Sequence, residues 1–338
     1  MMQNNPLLLV TGATGLVGWH VVDQALRLGY RTRILSRTPG GAGLWHGPVE
    51  MVLGDLTVER SLEPAFKEVT HVVHCAAKVG DFGALADYRA VNVEGTRALI
   101  ALAKRQSTLR RMVMISSLGV YRPGDHFGTT EEQPLWPQGL DAYTRSKAES
   151  ETMMLGAHLQ HGLPVAVLRP GFIYGAHDRT LLPRILKKLA QRQLVYFGSG
   201  EQRLSNTYVA NLCDAVFLAL NQPLAVGEVF NITDDPTVSK REFIATIARL
   251  AGYPEPHRSI PRALARAVCA SVDEASRLIG GRWQPPVSRA TYKFLGLNLD
   301  FSIDKARRLL GYAPVWSFAV GAEASIRWFR ETGRLAKR

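Results

Sequence analysis

Residues 7–18 read LLLVTGATGLVG, and this stretch decides the fold class. Its apolar start predicts a buried strand, and a helical pattern begins directly after the glycines. Gly12 would allow a tight turn, Gly15 would let the backbone approach a pyrophosphate, and Gly18 would let the helix pack on the strand. The free N–H groups at the start of the helix would bind the phosphates. The stretch therefore predicts the first strand–turn–helix unit of a dinucleotide-binding sheet.

The first half of the chain repeats this alternation of β-branched runs and amphipathic segments of helical length. Strands without polar alternation, separated by helices, indicate a parallel sheet that is covered on both faces. Because crossovers are right-handed, the predicted class is α/β with a doubly wound Rossmann sheet. The predicted strands are residues 7–11, 31–37, 50–56, 71–77, 111–117 and 164–171.

The alternation ends after Gly171. We predict a Rossmann domain at residues 1–171, to which residues 207–234 return, and a smaller, mostly helical substrate lobe at 172–206 and 235–338. The predicted later helices are residues 179–192, 209–221, 238–251 and 261–280.

The end of the second strand should select between NAD and NADP. NAD enzymes usually carry an acid there, which binds the ribose 2′-OH, but residues 35–38 read LSRT. Ser36 can donate a hydrogen bond and Arg37 can pair with a 2′-phosphate, so we expect NADP to be preferred over NAD. The alternative is that Arg37 is a plain surface residue. Asp55, after the third strand, could bind an adenine amino group.

The stretch DAYTRSKAESE, residues 141–151, places Tyr143 one helical turn before Lys147. A phenol with its usual pKa of about 10 is a poor acid or base at neutral pH. A neighbouring ammonium and an oxidised nicotinamide ring should lower that pKa. Tyr143 could then pass a proton to or from a carbinol oxygen during hydride transfer. Ser116 and Ser117, at the end of the fifth strand, offer hydroxyls that could hold that oxygen.

Several segments together resemble the extended short-chain dehydrogenases/reductases. The matching segments are TGATGLVG, GDL, HCAA, VNVEGT, MISSLGVY, YTRSK and LRPGFIYG, followed by YVANLCDAV, GEVFNITDD and DKARRLLGYAP. The resemblance implies Ser117, or alternatively Ser116, with Tyr143 and Lys147 as the catalytic set. It further implies that Asn92 supports a water relay to Lys147 and that the protein forms a homodimer.

The predicted cofactor contacts extend from the glycine loop to the residues after the sixth strand. Lys147 would hold the nicotinamide ribose, and the segment from Pro170 to Ile173 would pack beside the nicotinamide. The contacts are Gly12, Thr14, Gly15, Leu16, Val17, Gly18, Ser36, Arg37, Asp55, Leu56, Ala76, Ala77, Tyr143, Lys147, Pro170, Phe172 and Ile173.

Longer segments are similar to the 3β-hydroxysteroid dehydrogenase-like branch of that family. They are HCAAKVGDFG, GSGEQRLSNTYVANLCDA, the stretch from Ile260 through QPPVSRATYKFL, and FSIDKARRLLGYAP. The branch includes sterol 4α-carboxylate 3-dehydrogenases and bacterial reductases of long-chain 2-alkyl-3-oxo acids. The resemblance implies an NAD(P)-dependent oxidoreductase that transfers hydride to or from the carbinol or ketone carbon of a bulky hydrophobic substrate.

Two other functions stay open on the same fold. A nucleotide-sugar epimerase would use the same tyrosine and lysine with tightly bound NAD, and the missing acid after the second strand counts against it. A non-catalytic, cofactor-sensing binding protein would have no need of an intact serine, tyrosine and lysine set. Fold similarity alone does not decide between them.

Charge and composition limit the partners and the compartment. The net charge is +12, and residues 239–338 carry 18 Lys and Arg against 8 Asp and Glu. This basic surface could favour an anionic substrate or a membrane surface, but no aromatic-rich RNA signature accompanies it, so no nucleic-acid partner is expected. The chain start predicts a strand rather than a signal peptide. Three widely spaced cysteines indicate free thiols in a cytoplasmic protein, with no metal site.

The helix predicted at 261–280 has an apolar stripe of Leu264, Val268 and Val272, with Arg262 outside it. Three interpretations fit this stripe, namely a core-facing helix, a lid over a hydrophobic substrate, and a membrane-contacting surface.

Overall fold

The computed structural model describes residues 6–278, 285 and 287–335. The strands in this part of the chain are β1 (Leu7–Thr11), β2 (Arg31–Ser36), β3 (Val49–Leu53), β4 (His71–His74), β5 (Arg111–Ile115), β6 (His126–Thr129), β7 (Val165–Pro170), β8 (Phe172–Tyr174), β9 (Tyr196–Phe197), β10 (Arg203–Leu204), β11 (Asn206–Tyr208), β12 (Val229–Ile232), β13 (Val238–Ser239), β14 (Ser259–Ile260) and β15 (Leu299–Phe301).

The α-helices lie mostly between these strands. They are α1 (Leu16–Arg27), α2 (Glu63–Phe66), α3 (Leu85–Tyr88), α4 (Gly95–Ala103), α5 (Ala142–His161), α6 (Leu181–Ala190), α7 (Val209–Asn221), α8 (Lys240–Ala251), α9 (Arg262–Leu278), α10 (Arg289–Gly296), α11 (Asp304–Leu310) and α12 (Phe318–Glu331). A π-helical segment, Arg89–Glu94, joins α3 to α4, and short 3₁₀ turns occur at Gly41–Leu44, Glu59–Leu62, Leu118–Val120 and Pro223–Ala225.

Seven parallel strands form the central sheet, in the order β3-β2-β1-β4-β5-β7-β12. The strand order reverses between β1 and β4, which is where ligands bind in doubly wound sheets, at the carboxyl ends of the strands. The predicted fold class is confirmed. Strand β12, which comes late in the chain, pairs with β7 at the sheet edge.

Helices cover both faces of this sheet. Alternate residues of β1 point into the two cores, so that Leu8 and Val10 pack under α1 and α7, whereas Leu7 and Leu9 pack under α4 and α5. All four side chains are at most 2% exposed. Burial on both faces explains why these strands lack polar alternation in the sequence.

A third hydrophobic core lies in the later part of the chain. It joins α6, α8, α10 and α12 with three small sheets, which are β13-β10-β15-β6, the pair β11-β8 and the pair β14-β9. The strand pair β11-β8 starts directly after β7, so this core begins at the carboxyl edge of the central sheet. Among the described residues, no helix has both the length and the apolar character that crossing a bilayer requires.

The buried face of helix α9 differs from the one predicted from the sequence. Leu264 is 54% exposed and Val268 is 44% exposed, whereas Ala265 and Cys269 are each 1% exposed. The core-facing interpretation of the apolar stripe is therefore wrong for Leu264 and Val268, because smaller residues one position further on form the buried face. The last two residues of the predicted helix, 279 and 280, lie outside the described part of the chain.

Candidate active site

The glycine loop after β1 has the tight geometry that the sequence predicts. Gly12 has φ +70°, and a Cβ there would lie 2.6 Å from the backbone nitrogen of Ala76. A Cβ on Gly18 would lie 2.2 Å from the carbonyl oxygen of Gly12. Both positions therefore require glycine, the first for its left-handed backbone and the second for close packing of α1 on the loop.

The start of α1 suits a bound anion. Its N-cap residue is Gly15, which has no side chain that could bond to the first N–H groups of the helix. Thr14 and Gly15 are exposed, and Leu16 and Val17 are half-buried. The loop and the free helix end fit the pyrophosphate of a dinucleotide.

The end of β2 differs in part from the sequence-based expectation. The Ser36 hydroxyl donates a 2.7 Å hydrogen bond to the carbonyl of Thr38, so its proton is already used within the turn after β2. Arg37 is exposed, and no hydrogen bond or salt bridge within the described ranges engages it. Asp55 accepts 2.8 Å bonds from the Thr57 amide and hydroxyl, which lower its pKa, and the charge of Arg37 lowers that pKa further. Arg37, rather than Ser36, is the group available to a cofactor phosphate.

The other predicted cofactor contacts follow the carboxyl ends of the strands or lie in β8. Ala76 is the residue that a Cβ on Gly12 would contact, so the segment after β4 passes directly over the glycine loop. Leu56 and Pro170 are buried, and the rest are half-buried. These positions are Leu56, Ala76, Ala77, Pro170, Phe172 and Ile173.

Helix α5 carries the predicted tyrosine and lysine. The carboxylate of Asp141 accepts a 2.7 Å bond from the Thr144 amide, and the Thr144 hydroxyl bonds back to the amide of Asp141. This capping box fixes the first turn of the helix, which carries Tyr143. The helix ends at Gly162, which has φ +66°.

Tyr143 is half-buried, and the side chain of Ser117 lies close enough to act on its pKa. Burial raises the pKa of the phenol above the ordinary value, the carboxylate of Asp141 raises it further, and the nearby Ser117 hydroxyl opposes them. From the sequence we expected the charges of Lys147 and of an oxidised nicotinamide ring to lower this pKa, whereas in the structure burial of the phenol raises it. This direction of shift keeps the phenol protonated at neutral pH.

Lys147 is buried, and its Nζ donates a hydrogen bond to the carbonyl of Ile115, the last residue of β5. Burial lowers its pKa to about 8, while the carboxylate of Glu151 one turn further along the helix opposes this shift. The ammonium is therefore anchored at the strand end, next to the two serines.

The two serines have different partners. Ser116 is 3% exposed and donates a 2.6 Å bond to Oε2 of Glu151. Ser117 is half-buried, accepts a 3.0 Å bond from the Gly119 amide and lies close enough to Tyr143 to lower the pKa of its phenol. Ser117 is therefore the hydroxyl on the side of the tyrosine, and Ser116 belongs to a buried polar network.

Asn92 lies in the π-helical segment and is 2% exposed. Its side chain accepts a 2.7 Å bond from the Lys78 amide and donates to the Lys78 carbonyl at 3.1 Å and to Ser146 Oγ at 2.8 Å. Ser146 in turn donates to the carbonyl of Tyr143. Asn92 thus ties the segment after β4 to α5, and its part in a water relay stays a prediction.

A chain of hydrogen bonds leads from the glycine loop to Asn92. The Thr11 hydroxyl bonds to His74 Nδ1 at 2.8 Å, His74 Nε2 bonds to Thr96 at 3.1 Å, and Thr96 donates to the carbonyl of Asn92 at 2.6 Å. Burial lowers the pKa of His74 to about 3, and Lys147 lowers it too. His74 is therefore a neutral packing residue.

A buried ion pair, which was not predicted from the sequence, lies next to Lys147. The guanidinium of Arg169 binds Glu151 with Nε–Oε1 at 2.9 Å, and it donates to the Tyr121 hydroxyl at 2.6 Å. The signal was present, since Glu151 follows Lys147 by four residues on one helix face.

Lys293, from α10, was also missed. Its Nζ lies 3.3 Å from the point where a Cβ on Gly119 would stand. No local pattern marks this residue, which is far from the serines in the sequence.

Curated relatives resemble the chain over almost its whole length. A farnesyl-dihydroquinoline-1-oxide ketoreductase of Stigmatella aurantiaca is 28% identical and covers 93% of this chain and 94% of its own length. The sterol-4-alpha-carboxylate 3-dehydrogenase of Bos taurus is 28% identical, with 95% and 91% covered. The 2-alkyl-3-oxoalkanoate reductase of Shewanella oneidensis is 29% identical, with 92% and 83% covered. They agree with the branch that the motifs indicate.

Solved structures share the fold. The crystal structure of gox2253 has a TM-score of 0.81 and 26% identity, and covers 98% of this chain and 100% of its own. The UDP-glucose 4-epimerase of Thermotoga maritima has a TM-score of 0.77 and 20% identity, with 96% and 99% covered.

The NAD dependent epimerase/dehydratase family matches residues 8–233, about two thirds of the chain, from β1 to the strand that closes the central sheet. This range includes the glycine loop, both serines, and the tyrosine and lysine of α5. The chain therefore belongs to the NAD dependent epimerase/dehydratase family and is an NAD(P)-dependent oxidoreductase.

Proposed function

We propose that the protein is a dehydrogenase or ketone reductase that interconverts a carbinol and a ketone on a bulky hydrophobic substrate. One observation carries the proposal, which is the grouping of three side chains at one strand end. Lys147 is anchored on the Ile115 carbonyl, and Ser117 lies two residues further on and close enough to Tyr143 to act on its pKa. Two hydroxyls and an ammonium converge at the carboxyl end of β5, where doubly wound sheets bind their ligands.

The three side chains have separate tasks. The bound nicotinamide supplies or accepts the hydride. Tyr143 donates a proton to the substrate oxygen in reduction and accepts it in oxidation, and its raised pKa suits the donor role at neutral pH. Ser117 holds the same oxygen through its hydroxyl. Lys147 supplies a fixed positive charge next to the tyrosine.

The relatives support a hydrophobic substrate, sterol-like or a long-chain 3-oxo acid. Their names describe a farnesylated dihydroquinoline oxide, a sterol carboxylate and a 2-alkyl-3-oxoalkanoate. Aromatic contacts support it too, since the rings of Phe172 and Phe294 meet edge to face at 4.9 Å on the lobe side of the site. We assign the substrate to the lobe formed by 172–206 and 235–338.

We further propose that NADP is preferred over NAD. The exposed guanidinium of Arg37 stands at the end of β2, and no acidic residue follows that strand directly. A guanidinium binds a 2′-phosphate through charge-assisted hydrogen bonds.

Epimerase chemistry is the second candidate, because the family that matches includes epimerases. An epimerase would keep NAD bound through purification and would return the hydride to the same substrate.

The test is cofactor oxidation by the purified protein with a 3-ketosteroid, a long-chain 2-alkyl-3-keto acid and a UDP-sugar. NADPH and NADH are run separately, and Tyr143→Phe is the control. Turnover on a hydrophobic ketone that is faster with NADPH and lost in the variant supports the proposal. Turnover on neither ketone, together with NAD that stays bound, would move the assignment to the epimerase.

A further inference from the structure

Lys293 and Ser117 lie beside the same glycine. A Cβ on Gly119 would stand 3.3 Å from Lys293 Nζ and 3.2 Å from Ser117 Oγ. Because both distances are measured from one point, the ammonium lies no more than about 6.5 Å from the Ser117 hydroxyl, which is itself close to Tyr143.

The placement of α10 is fixed by buried contacts. Ser288 caps the helix and forms a capping box with Thr291. The ring of Phe294 packs against Phe172, and its carbonyl accepts a hydrogen bond from the buried ammonium of Lys240. These contacts of Ser288 and Phe294 hold α10 in place, and α10 in turn places Lys293 beside the site.

The Lys293 ammonium has no such partner. Across the described ranges, no hydrogen bond or salt bridge engages Nζ. Asp141 is the acid that acts on it most, but one of its oxygens already accepts bonds from the Thr144 amide and hydroxyl, at 2.7 and 2.9 Å. Burial lowers the pKa of Lys293 and the Asp141 carboxylate opposes this shift without bonding Nζ, so the ammonium pays most of its desolvation cost unpaired. An anionic group on the substrate would remove that cost.

We propose that Lys293 binds a substrate carboxylate placed β to the reacting carbon, which makes the substrate a 3-hydroxy or 3-oxo acid. In such an acid one carbon separates the reacting carbon from the carboxylate carbon. The carbinol oxygen can therefore meet Ser117 and Tyr143 while the carboxylate meets Lys293. This inference rests on the proposed function, in which such acids are already candidates, and it adds the residue that recognises their carboxylate.

The test uses the oxidative direction, because 3-hydroxy acids are stable whereas 3-oxo acids lose CO₂. A long-chain 2-alkyl-3-hydroxy acid is compared with its methyl ester, with NADP⁺ and NAD⁺, for wild type, Lys293→Met and Lys293→Arg. Lys293→Met should raise KM for the acid about thirtyfold or more and change the ester less than about threefold. Lys293→Arg should retain most of the acid affinity. Lys187→Met, on an exposed face of α6, is the matched control and should change neither.

Calorimetric titration of the acid and the ester separates the inference from the proposed function. Binding of the acid that is weakened in Lys293→Met, without turnover of either compound by wild type, supports the anion site and contradicts the dehydrogenase proposal. The inference would be overturned if Lys293→Met weakened binding of the acid and of the ester equally. It would also be overturned if the variant left binding of the acid unchanged.

Discussion

Replacing Glu151 by alanine should destabilise the protein far more than a surface substitution does. The side chains of Glu151 and Arg169 are 0% and 4% exposed. Glu151 accepts bonds from Arg169 and from Ser116, and Arg169 also donates to Tyr121. The variant therefore leaves a guanidinium buried without its counter-ion.

The size of the effect follows from that unpaired charge. Removing one partner of a buried ion pair costs about 3–5 kcal/mol of the free energy of unfolding. At about 2 °C per kcal/mol for a chain of this size, Tm should fall by about 6–10 °C. Replacing both Glu151 and Arg169 by methionine should cost less than the single change, because no charge is then left unpaired.

Differential scanning calorimetry at neutral pH measures these shifts. The matched control is Glu149→Ala on the same helix, whose carboxylate pairs with Arg89 and Arg145 near the surface. Each exposed pair contributes at most about 1 kcal/mol, so Tm of the control should move by about 4 °C or less. If Glu151→Ala melted at the same temperature as the control, the buried charge would not have the cost assigned to it.

Three further predictions concern the cofactor and the pH profile. Gly18→Ala places a Cβ 2.2 Å from the Gly12 carbonyl, so fluorescence titration should show NADPH binding weakened about fivefold to a hundredfold, from an overpacking cost of about 1–3 kcal/mol. Because burial lowers the pKa of Lys147 to about 8, its charge is lost as pH rises through that value, and kcat/KM for ketone reduction should fall above it. A profile that stays flat to pH of about 10, the ordinary lysine range, would contradict this assignment. Arg37→Glu should lower kcat/KM for NADPH about tenfold or more relative to NADH, measured with one substrate, and an unchanged ratio would leave Arg37 a surface residue.

Local sequence was enough to predict the glycine loop and the helix with the tyrosine and lysine. Both depend on short-range requirements, namely a left-handed turn at Gly12, close packing at Gly18 and a spacing of four residues on α5. The first residues of the six predicted strands also agree with the structure to within one residue. Some predicted strands ran too far, such as the fourth, because the chain turns away after His74.

Other features of the site depend on which side chains are buried in the folded protein, and these could not be predicted from local sequence. Ser117 is chosen over Ser116 because the Ser116 hydroxyl is already bonded to the buried Glu151, whereas Ser117 lies near Tyr143. The direction of the Tyr143 pKa shift was wrong for the same reason, since the sequence contains the nearby charge but not the loss of water. Lys293 reaches the site only because α10 folds back onto it.

Hydride transfer itself can be followed with NADPH that carries deuterium at C4 of the nicotinamide, a long-chain 3-ketone as substrate, and mass spectrometry of the product. We predict one deuterium on the carbinol carbon from one of the two labelled faces, and a rate that falls about a hundredfold or more in Tyr143→Phe. A product without deuterium from either face, or a Tyr143→Phe protein as active as the wild type, would contradict the proposed dehydrogenase mechanism.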